Sequence, residues 1–155
     1  MLPQSLKDYR RSAKGTNTGI MWNILLVLIG GAVGSLARYG VASLGRHIWP
    51  VAEWPTGTFF ANVSGGLVMG IVMGLLLGPL KGVSWGPFDT ERLRLLLAVG
   101  VLGGYTTFSS FSLETIFMLE RRHYLMATAY AVSSVVLAVA AVAIGMWLVR
   151  RVVPA

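Results

Sequence analysis

Four stretches of this chain are apolar over the length a helix needs to cross bilayer hydrocarbon, about 20 residues each. They run roughly over Trp22–Val41, Thr58–Leu77, Leu93–Leu119 and Tyr124–Val149. Most of the 155 residues are used in this way, so little remains for a water-soluble domain. A bilayer accepts only helices and closed barrels, because every backbone polar group must be paired inside the chain. Segments this long and continuously apolar specify helices. The expected fold is an all-α integral membrane protein with four transmembrane helices. Composition agrees: 55% of residues are hydrophobic, 12% are charged, and the mean hydropathy is +0.69.

The net charge of +7 is not a nucleic-acid footprint, because the basic residues are spread over the amino-terminal arm, the loops and the carboxyl terminus. Residues 1–20 read as a polar, basic, disordered arm, and residues 21–155 as the membrane domain. Met21 opens "MWNILLVLIGG", a natural start for a membrane protein, so initiation at Met21 is one expectation. Gly45–Pro55 carries two Trp and two Pro and suits an interfacial loop. His47 and His123 are both expected in loops. Glu120–His123 is a short turn that makes the third and fourth spans a helical hairpin. The absence of Cys excludes thiolate catalysis and disulfides. Neither a Ser/His/Asp set nor a phosphate-cradling loop is present, so the chain is not expected to be an enzyme.

Glycines recur at helical spacing: Gly30 and Gly34, then Gly66, Gly70 and Gly74, then Gly100 and Gly104. Such rows let helix backbones approach closely in lipid. Polar residues interrupt the apolar runs. Thr58 and Asn62 share a face of the second span, and a buried Asn must find partners in hydrocarbon. Its partner is another helix, a desolvated anion or a file of waters. Arg38 lies near the end of the first span, and Glu114 lies within the third. Ser133 and Ser134 are in the fourth, one turn beyond Tyr130.

The third span also contains "GGYTTFSSF", residues 103–111, where two Gly and four hydroxyl residues weaken the helix. Non-helical backbone at membrane depth is tolerated only inside protein or against a water-filled cavity. Freed carbonyls there suit a cation and freed amides an anion. Phe108 and Phe111, three residues apart, present two rings on nearly one face. The positive edge of an aromatic ring can stabilise a small anion without fixed charge.

Over nearly all of residues 21–149 the chain resembles the CrcB/Fluc fluoride channels. The matching elements are "GGAVGSLARY", "GTFFAN" followed by "GG", and "GGYTTFSSF" with Glu114 three residues on. Ser110 stands where that family often has Thr, and the hydroxyl is retained. The resemblance implies an antiparallel, dual-topology homodimer in the cell inner membrane, with the third helix broken mid-membrane. It implies a central structural sodium ion held by the backbone carbonyls of Gly103 and Thr106 from both subunits. Phe108 and Phe111 would line the pore, and Asn62 would be the amide donor on the fluoride pathway. Ser110 and Ser134 would join a polar track, with Thr107, Ser109 and Tyr130 as weaker members, and Arg38 would belong to a positive vestibule.

The implied function is passive export of cytoplasmic fluoride, which relieves its toxicity. An inside-negative potential drives an anion outward by about 2.3 kcal/mol per 100 mV, so neither an ATPase motif nor a proton-coupling carboxylate is required. The alternative is a small dual-topology, proton-coupled drug antiporter. It wants a carboxylate in the first span, and "WNILLVLIGGAVGSLARY" has none. A third reading, a non-catalytic assembly subunit, leaves the polar break without a role. With four spans, one side carries nine Lys/Arg when the arm is counted and five when it is not, against four on the other. The near-even count is what insertion in both orientations needs.

Overall fold

The computed structural model describes residues 4–49, 54–86 and 88–153, with side chains from residue 19 onward except at Trp85. It is a bundle of helices in the order α1 (Gln4–Ile48), α2 (Thr56–Leu77), α3 (Thr90–Leu93), a π-helical segment (Arg94–Leu102), α4 (Gly103–Tyr105), α5 (Phe108–Glu120) and α6 (Tyr124–Val152). Four stretches are long and apolar enough to cross a membrane: Gly19–Ile48, Thr56–Leu77, Thr90–Glu120 and Tyr124–Val152. The side chains of the expected arm lie outside the described residues up to residue 18.

The first span outlasts its expected end by seven residues, from Val41 to Ile48. Gly45 and His47, expected in a loop, are in its last turns. "ASLGRHI" contains no Pro and only one Gly, so helical bonding continues until Pro50 approaches. The second span begins directly after Pro55 and ends at Gly78, ahead of Pro79. A small feature went unexpected: Ser84–Trp85 pairs antiparallel with Phe88–Asp89 in the central loop. Thr90 ties that loop down by donating its hydroxyl to the carbonyls of Leu80 (2.9 Å) or Val83 (3.2 Å).

The third and fourth spans form the expected hairpin. Arg122 adopts a left-handed φ of 61° at the turn, and His123 N–H closes it on the carbonyl of Met118 at 2.9 Å. Glycine decides how the bundle packs. The first span lies on the π segment and α4 through Gly30, Gly34, Gly100 and Gly104. A methyl group at Gly100 would sit 2.9 Å from the Gly30 Cα, and one at Gly104 would sit 2.6 Å from the Gly31 carbonyl oxygen. The second span meets α6 in the same manner, with Gly66 against the Ala138 carbonyl and Gly145 against that of Leu67. These backbone-to-backbone contacts leave no room for side chains between the paired helices.

Candidate functional site

The backbone of the third span leaves the helical conformation at two residues. Thr106 has φ −81° and ψ 156°, and Thr107 has φ −151° and ψ 125°, both extended. The interruption is therefore shorter than residues 103–111, because Gly103–Tyr105 is still helical and α5 restarts at Phe108. Hydroxyls close its two ends. Thr106 Oγ1 donates to the Leu102 carbonyl at 2.9 Å, and Thr107 Oγ1 accepts the Ser110 N–H at 3.3 Å as the N-cap of α5. The break is preceded by nine π-helical residues, a distortion without a side-chain signature in "RLLLAVGVL".

Asn62 spans the gap. Its Nδ2 donates to the Thr107 carbonyl at 3.0 Å, and its Oδ1 accepts the Thr107 N–H at 2.8 Å. One side chain thereby pairs both backbone groups of Thr107. An amide nitrogen carries two hydrogens, so Asn62 keeps a second donor beyond this clasp.

Beside the clasp lies a cavity of about 340 Å³ whose lining includes Asn62, Thr106, Thr107, Phe108, Phe111 and Ser134. Phe108 and Phe111 stand with ring centroids 5.4 Å apart and planes tilted by 44°. Phe108 is 76% exposed on this single chain. Ser134 is only 4% exposed, and its Oγ has no partner among the described protein atoms. A buried hydroxyl without a partner is costly, and one on a cavity wall is open to a ligand or to water.

The remaining expected residues separate. Ser110 belongs to the α5 cap and does not line the cavity, and Ser133 Oγ donates back to the Ala129 carbonyl at 2.6 Å. Gly103 is exposed, and a methyl group there would meet only the Ala98 carbonyl oxygen, 3.7 Å away. Arg38 is half-buried on the first span and borders neither this cavity nor the two that Glu114 lines.

A second polar cluster follows one turn farther along α5. Glu114 accepts two hydroxyls, from Thr58 at 2.6 Å and from Tyr130 at 2.7 Å. Tyr130 is fully buried, with its ring 5.4 Å from Phe111 on one side and 5.4 Å from Trp54 on another. The sequence marks Glu114 and Tyr130 as polar groups in apolar spans without fixing their roles. The signal available was Thr58, four residues before Asn62 and hence on the same face of α2.

Residues 25–146 match the family described as CrcB-like protein, Camphor Resistance (CrcB). The chain is 49% identical over 134 residues to a protein of Phenylobacterium zucineum named fluoride-specific ion channel FluC, covering 85% of this chain and 98% of that one. It is 46% identical over 132 residues to a protein of the same name from Caulobacter sp., with the same two coverages. A Coxiella burnetii protein, also so named, is 38% identical over 129 residues, or 83% of this chain and 98% of its own length. An interrupted third span, an amide that holds the interruption and a match over four spans agree: the chain belongs to the CrcB-like family.

Proposed function

We propose that this protein is a fluoride-selective channel that lets cytoplasmic fluoride leave the cell passively. The observation that carries the reading is the cavity at the break, where Phe108, Phe111 and the unpartnered Ser134 hydroxyl meet beside Asn62. Fluoride is small and strongly hydrated, so a pore that strips its water must supply replacement donors. Ser134 and the spare hydrogen of Asn62 are such donors, and the ring edges add positive potential without a fixed charge that would trap the ion. Relatives covering 85% of the chain carry the name of a fluoride channel.

The working unit is a homodimer of antiparallel subunits in the inner membrane, with the break at mid-depth. The exposure of Phe108 and Gly103 on a single chain supports this, since both face outward at the break. Sodium fits as a structural ion on the carbonyls of Gly103 and Thr106, the last helical turn and the first extended residue. Carbonyl oxygens suit a hard cation, but the two from one chain are too few to surround it. A second copy would raise the number to four. Gly103→Val has room within its own chain. It is therefore expected to fold yet fail to dimerise, as read by size-exclusion chromatography with light scattering. A Gly103→Val dimer of wild-type stability would remove the basis for this assembly.

The function itself is tested with purified protein in liposomes loaded with fluoride or chloride, followed by ion-selective electrodes. Fluoride is expected to leave rapidly once its charge is compensated, and chloride to be retained. Equal release of both ions, or of neither, contradicts the reading.

A further inference from the structure

The polar groups do not end at Glu114. Glu114 and Thr58 also border a second cavity, of about 390 Å³, at the end of the bundle where the first span stops and α2 begins. The first cavity is bordered by Phe111, whose ring lies against Tyr130, and the Tyr130 hydroxyl reaches Glu114. Phe111, Tyr130 and Glu114 thus form the contact chain between the two cavities. Among the described residues, one charged group besides Glu114 borders the second cavity: Arg46, in the last turn of α1.

We propose that this second cavity is a mouth of the anion path and that Arg46 collects fluoride there. The proposal rests on the channel reading above. In the sequence Arg46 reads only as one of the charges that set topology. Its Nη2 donates to Ser43 Oγ at 3.0 Å, one turn back, which holds the guanidinium along its helix. A guanidinium has five N–H groups, so four remain for other partners. Both Glu114 oxygens already accept hydroxyls, so this carboxylate is engaged with Thr58 and Tyr130, and among the described residues Arg46 is the cation that lines this cavity. In a wide, wet mouth such a charge raises the local anion concentration without holding the ion in place.

The test compares initial fluoride efflux from liposomes for wild type, Arg46→Gln, Arg46→Lys and Arg122→Gln, over a range of fluoride concentrations. Arg122 lies at the same end of the bundle but borders a different cavity, so its variant removes the same charge elsewhere. One charge several ångströms from a mouth in water-like surroundings changes local anion concentration about threefold. At about 10 mM ionic strength and low fluoride, Arg46→Gln is expected to run about threefold slower than wild type. The gap should close at saturating fluoride and in about 0.5 M impermeant salt, where screening is nearly complete. Arg46→Lys should keep wild-type rates, and so should Arg122→Gln. Equal rates for Arg46→Gln and wild type at low salt overturn the proposal. So does the same deficit in Arg122→Gln, which marks a general surface charge effect. So does a lower maximal rate that Lys fails to restore, which marks a structural Arg46. Failure of the wild-type protein to release fluoride refutes the channel reading instead, before any variant is compared.

Discussion

Before its break, the third span meets α1 backbone to backbone, with Gly100 against Gly30 and Gly104 against Gly31. After the break, α5 meets its neighbours through side chains: the Thr107 cap, the Phe pair, and Glu114 between Thr58 and Tyr130. The two halves belong to one apolar segment and differ in what fills the helix interface. Small residues before the break leave no space between the helices. Large aromatic and polar residues after it leave a cavity and at least one hydroxyl without a partner. A rigid half thus adjoins a half that holds a cavity, and Asn62 joins them by holding Thr107.

The sharpest way to break the contrast is to put a side chain into the rigid half. Gly100→Val places its Cβ 2.9 Å from the Gly30 Cα, backbone that cannot turn aside. The expected cost is about 3 kcal/mol or more, seen as loss of monodisperse protein on size exclusion. A folded, stable Gly100→Val would show that the first half has slack. In the other half, Phe108→Ile and Phe111→Ile keep apolar bulk but remove the ring edge. Fluoride efflux should fall at least about 100-fold in each single variant, while the folded protein is still recovered. Normal efflux from both would dismiss the rings as conductors.

Smaller effects separate scaffold from path within the site. Asn62→Ala strips Thr107 of both partners and should lower stability by about 2 kcal/mol, with a matching fall in unfolding temperature and reduced efflux. Ser134→Ala removes a hydroxyl that has no partner among the described residues, so stability should hold or rise slightly. Its efflux should nevertheless fall about threefold through loss of a donor. If Ser134→Ala conducts like wild type, that hydroxyl is not on the path.

Much of the fold was legible because membrane helices announce themselves by length and apolarity. The spans and the hairpin turn follow from those two facts, and the glycine rows from their helical spacing. The hydroxyl run predicted an interruption, yet only Thr106 and Thr107 leave the helix, since Gly103–Tyr105 still finds helical partners. The π segment was not legible, because Leu, Val and Ala serve either helix equally well. Asn62 was legible as a residue in need of partners, but not as the clasp of Thr107, whose contact spans 45 positions of sequence. Glu114 was likewise visible without its meaning. Thr58 lies 56 residues away and Tyr130 is on another helix, so only folding brings the three together.

The central claim is that the half after the break conducts fluoride as an ion, uncoupled to protons. The most direct measurement is the reversal potential of the protein in a planar bilayer with a tenfold fluoride gradient and equal chloride. It should lie at the fluoride equilibrium potential, about 59 mV, and stay there when a pH gradient is added. A reversal potential that moves with the pH gradient, or that follows an imposed chloride gradient instead, would contradict the account.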